Sequence, residues 1–187
     1  MYGGILGYAG KTIVKITNSS VNSITNIKGN EYVGGIVGNI KNEIKNCSTS
    51  NVSTIISKEV DAGGIAGNTI SKISNSNVSN IGNINGKQST GGIAGYIGDA
   101  ISNSNVNTVS TIISNKGDSG GIAGNTKSKI SNSNVSNIGN IKGEKSTGGI
   151  AGYIESTITN SHVSNVSTIN GYGNKRRYSR TYKVFNI

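Results

Sequence analysis

At 187 residues the chain has the length of one domain, and its 33% hydrophobic content, 28 glycines and absence of Pro and Trp also occur in disordered low-complexity segments. Disorder is excluded by the apolar residues themselves, which are mostly strand-favouring Ile and Val set at fixed intervals. The net charge of +10 does not make the body a nucleic-acid binder, because residues 1–170 hold 13 basic and 8 acidic side chains.

The opening segment, Met1 to Ile5, has no basic n-region and no apolar h-region, so any export signal is expected outside it. No apolar run reaches the ~18 residues of a membrane-crossing helix. From there the sequence is a repeat. An Ile-x-Asn element recurs at Asn18, Asn46, Asn75, Asn103, Asn132 and Asn160, in steps of 28, 29, 28, 29 and 28. Ile16, Ile44, Ile73, Ile101, Ile130 and Ile158 stand two residues before each Asn, and Ile27, Ile55, Ile84, Ile112, Ile141 and Ile169 nine after. Val21, Thr49, Val78, Val106, Val135 and Val163 form a further column, three after.

From the second unit a Gly-Gly-Ile motif precedes the Asn, beginning at Gly34, Gly63, Gly91, Gly120 and Gly148. In the first unit Gly3-Gly4-Ile5 lies about three residues too far upstream, which implies a small insertion or a differently shaped terminal coil. Residues 61–113 and 118–170 match at an offset of 57, so a two-unit block has been duplicated. The pattern stops at Gly171. Residues 172–187 form a basic, aromatic tail in which Lys175, Arg176, Arg177, Arg180 and Lys183 offer contacts to an anionic surface or belong to a cap. Tyr178, Arg180, Tyr182 and Val184 alternate with Ser179, Thr181, Lys183 and Phe185, a pattern suited to one covering strand.

A helix-pair repeat is excluded by the Gly, Asn, Ser and β-branched residues crowding every unit. Apolar columns three apart fit neither a helix nor a flat strand, and they predict short strands joined by corners, about three per coil. The fold class is therefore all-β: a parallel β-solenoid over residues 1–171, six coils of 28–29 residues, with right-handed coiling expected from the bias of parallel crossovers. At ~4.8 Å per coil it would be a rod of about 29 Å. The Asn column, Asn18 to Asn160, is expected to turn inward as a structural ladder, and the glycines to mark corners or close backbone approach.

Chemistry is sparse. Gly-Gly-Ile-Ala-Gly lacks the Lys-Ser/Thr of a phosphate loop. His162 stands where other units have Ser or Asn, and Cys47 where they have Ser. Asp61 and Asp118 share a column, two coils apart, about 10 Å by the strand spacing. No catalytic residue, cofactor or metal site is expected.

The unit Gly91-Gly92-Ile93-Ala94-Gly95-Tyr96, followed by Ile101-Ser102-Asn103-Ser104, resembles the GLUG-motif repeats, and the resemblance runs over nearly all of residues 3–171. It departs in using Ile for Leu and in placing Asn, Ser or His where that family often has Tyr. The resemblance implies a bacterial surface or secreted protein, adhesin-like or associated with immunoglobulin A-cleaving peptidases. With no His-Glu-x-x-His present, the segment would be a stalk or binding module rather than an enzyme. Its expected partners are a host glycan or protein and, through the solenoid ends, another copy of itself, rather than nucleic acid. The competing readings are a polysaccharide-processing β-helix, which an acidic or basic cluster on one groove would support but the sequence does not show, and an ice-binding solenoid, which needs flat Thr rows where Thr54, Thr111 and Thr168 recur on alternate coils only.

Overall fold

The computed structural model describes residues 1–10 and 14–172. The tail cations Lys175, Arg176, Arg177, Arg180 and Lys183, and the expected covering strand, lie outside the described residues. The described residues form strands and turns without a helix: an all-β parallel solenoid of six coils.

Each coil holds four strands rather than three, and the strands stack into four parallel six-stranded sheets. In the third coil they are Ala62–Gly63, Ala66–Thr69, Ile73–Ser74 and Asn77–Gly86. The extra division falls at the Gly-Gly-Ile motif. There two successive amides, Ile65 and Ala66, both donate to the Ile93 carbonyl, at 2.8 and 3.1 Å, which turns the backbone sharply between the first and second strands. The same pair of bonds recurs from Ile36 and Val37 to Ile65, and from Ile93 and Ala94 to Ile122.

The strand register locates the irregularity of the first unit. Gly3 pairs with Gly34 and Ala9 with Ile40, while Ile16 pairs with Ile44. Seven positions separate Ala9 from Ile16 where four separate Ile40 from Ile44, so the first coil carries a three-residue insertion between these strands.

The Ile and Val columns fill the interior. Ile36, Ile65, Ile93 and Ile122, with Ile44, Ile73, Ile101 and Ile130, are completely buried. Two glycine columns let the coils close on this core. A Cβ on Gly92 would overlap the Gly121 carbonyl oxygen of the next coil and stand 2.7 Å from Val106 Cγ2.

The Asn column faces outward, contrary to the sequence expectation. All six residues are exposed, and all have left-handed backbone, with φ between 48° and 55°. Asn tolerates this conformation better than other residues with a Cβ, so the column is kept for its backbone. Only part of it bonds side chain to side chain, from Asn46 to Asn18 at 3.0 Å and from Asn75 to Asn46 at 3.2 Å. The inward ladder belongs to the following residue. Ser76 N–H donates to Ser104 Oγ and Ser104 N–H to Ser133 Oγ, both at 3.1 Å, and each hydroxyl donates to the carbonyl two residues back. Cys47 occupies this column, buried, with burial pushing its thiol pKa up.

A second left-handed column lies five residues on, at Ser23, Asn51, Asn80, Thr108, Asn137 and Asn165. It bends the long fourth strand, so that Val78 and Ile81 both point inward although three residues apart.

Candidate functional site

The outward residues of the first and second strands form a groove where they meet the loop that follows the long strand. Its volume is about 370 Å³. The lining comes from successive coils in register. One row carries Tyr32, Asp61, Ser89 and Asp118 just before the Gly-Gly motif; a second carries Asn68, Tyr96 and Asn125 just after it. Gln88, Lys116 and Lys145 stand on the loop side.

Asp61 anchors this arrangement. It is only 5% exposed, its Oδ1 accepts Ser89 N–H at 3.0 Å, and its Oδ2 accepts Asn68 Nδ2 at 3.4 Å. Burial raises its pKa from 3.8 to about 6, and the bonds from Asn68 and Ser89 pull in the other direction. Asp118 repeats the pattern two coils on, accepting from Ser146 N–H and Asn125 Nδ2, both at 3.1 Å. Burial also raises the Tyr32 phenol, helped by the negative charges of Asp61 and Glu31. On the rim Lys87 is paired with Glu59, whereas Lys116 and Lys145 enter no salt bridge among the described residues.

The groove thus offers amides held in fixed orientation by the buried Asp61 and the half-buried Asp118, the Tyr96 ring between them, and the ammonium groups of Lys116 and Lys145, which enter no salt bridge among the described residues. That suits a polar ligand lying along the rod. Both oxygens of Asp61 are committed to neighbours, and among the described residues no three His, Cys, Asp or Glu side chains converge to hold a metal. His162 is exposed, with its backbone N–H bonded to Asn134.

The outer face of the long sheet is the other regular surface. Asn26, Thr54, Asn83, Thr111, Asn140 and Thr168 stack there in one row. Each Thr hydroxyl donates to the Asn of the preceding coil, at 2.6, 2.6 and 2.8 Å. Those hydroxyl protons are spent within the protein, which weakens the row as a template for ice.

Asp61 and Asp118 were visible in sequence as a shared column, but their Asn and Tyr partners were not. Asn68 lies seven residues beyond Asp61, around the corner at Ile65, and only the four-strand coil brings the two side chains to the same face.

No family model matches the chain, and no curated protein does. Among solved structures it is similar to a protein of Bacteroides ovatus described as a "putative immunoglobulin A1 protease", with a TM-score of 0.62 and 16% identity. The match covers 90% of this chain and 62% of that one, so this chain spans less than two thirds of its neighbour. What the two share is the fold. No helix among the described residues is long and apolar enough to cross a membrane.

Proposed function

We propose that the chain is a non-catalytic adhesive and spacing module of a bacterial cell-surface or secreted protein, a stack of GLUG-type repeats that binds its partner through the groove between Tyr32 and Lys145. The carrying observation is the convergence there of Asp61 and Asp118, the amides they hold, Tyr96, and Lys116 and Lys145, which enter no salt bridge among the described residues. The similarity to a solenoid in a chain described as a protease is consistent with a repeat segment carried by a larger exported protein.

The test is binding of the purified chain to immobilised host polysaccharides and extracellular-matrix proteins. At least one should retain the wild-type chain, and the Lys116→Ala/Lys145→Ala variant should bind more weakly, with stronger loss at low salt. Retention of nothing on either panel would leave a spacer alone.

A polysaccharide-processing reading has one observation in its favour, a carboxylate with a raised pKa beside a groove. Release of reducing ends from any panel polysaccharide, abolished by Asp61→Asn, would establish it. Self-association is a separate proposal. Met1, Tyr2, Ile5 and Tyr8 are exposed on the first coil, whose strand edges have no partner among the described residues.

A further inference from the structure

The groove has a period. From the third coil to the sixth, the row before Gly-Gly reads Asp61, Ser89, Asp118, Ser146, and the row after it reads Asn68, Tyr96, Asn125, Tyr153. Coils that present a carboxylate-held amide alternate with coils that present a tyrosine. Because neighbouring strands are ~4.8 Å apart, this pattern repeats every two coils, or about 9.6 Å along the rod.

An extended peptide is a poor match to that period. It advances ~3.3 Å per residue and its side chains alternate faces, so about three residues span two coils and the next equivalent residue faces away. An extended β-1,4-linked glycan matches in both respects. Its successive pyranose rings are flipped by half a turn, so the same face returns with every disaccharide, and a disaccharide is close to two coils in length.

We infer that the groove binds an extended β-1,4-linked polysaccharide lying parallel to the solenoid axis, one disaccharide to every two coils. Tyr96, half-buried in the groove, and Tyr153, exposed on the same row one coil beyond its lining, stack against the apolar face of alternate sugars. Asn68 and Asn125 each give one amide hydrogen to an aspartate, at 3.4 and 3.1 Å, and keep a carbonyl oxygen and a second N–H for sugar hydroxyls. Asp61 and Asp118 act as positioning residues that fix those amides. The two repeats over these four coils set the site at four sugars.

This inference rests on the adhesive reading and narrows its ligand. The experiment is calorimetric titration of the full chain with cellohexaose and chitohexaose, with maltohexaose as the α-1,4-linked control of equal length. At least one β-1,4-linked hexasaccharide should bind roughly tenfold or more tightly than maltohexaose, and the affinity should climb from disaccharide to tetrasaccharide and then level off. Tyr96→Ala should lower it by about tenfold, whereas Thr111→Ala on the long sheet should leave it unchanged. Asn125→Ala gives a second reading should the Tyr96 variant fold poorly. Equal binding of maltohexaose would overturn the inference. So would silence with both β-1,4-linked hexasaccharides; if a matrix protein still bound, the adhesive reading would stand without it, and if nothing bound, both would fall.

Discussion

Ser104 illustrates how much a small buried hydroxyl does in this fold. It accepts the Ser76 amide and donates to the Ser102 carbonyl, joining two coils at a point closed to water. Ser104→Ala leaves the Ser76 amide without a partner and should cost about 1–3 kcal/mol in urea melts. Asn103→Gly, one residue away, keeps the left-handed backbone open and should stay within about 0.5 kcal/mol of wild type. Thr49 shows the converse. It is completely buried in a column otherwise made of Val, and its hydroxyl has no hydrogen-bond partner among the described residues. Thr49→Val should therefore raise stability, by about 1–2 kcal/mol in the same melts.

The Asp61 carboxyl titrates near 6 in the folded chain against 3.8 in the unfolded one, so the folded state holds the proton more tightly. Its contribution is fully present below about pH 4 and is lost as pH rises through about 6, by at most ~3 kcal/mol. Wild type should lose stability relative to Asp61→Asn across that window when melts are compared pH by pH. A wild-type gain over the same window would contradict the buried placement of this group.

At the scale of the element, the glycine columns set how closely coils approach. Gly92→Ala would drive a methyl into the Gly121 carbonyl and the Val106 side chain, and should cost about 3 kcal/mol or more. Gly98→Ala meets the Ile70 Cα at 3.2 Å, on a turn, and should cost less than about 1 kcal/mol. The Ile columns were legible in sequence because burial at every coil imposes one residue type at one spacing. The orientation of the Asn column was not, since an inward ladder and an outward left-handed corner both keep Asn at a fixed position. The distinguishing signal was a second Asn-rich column five residues on, at Asn51, Asn80, Asn137 and Asn165, where a left-handed residue bends the long strand. The spacing of three that suggested separate short strands lies within a single strand of nine or ten residues, and the bend at its left-handed residue accounts for the first step, from Val78 to Ile81.

For the whole molecule, the six-coil stack followed from the period, and the groove did not. A repeat fixes which residues lie above one another along the rod, so Asp61 and Asp118 could be aligned by counting. Which columns become neighbours around a coil depends on where the backbone turns, and the sharp turn at Ile65 carries no residue that marks it beyond a glycine motif with several other uses. The central claim is that one groove on the side of a rigid solenoid is its working surface. Hydrogen exchange of the full chain, alone and saturated with a ligand retained in the binding panel, tests it most directly. Slowing should concentrate in residues 87–96 and 116–125, which carry the groove on adjacent coils, with the long sheet unchanged. Slowing centred on residues 106–114 of the long sheet, or spread evenly over all six coils, would contradict it.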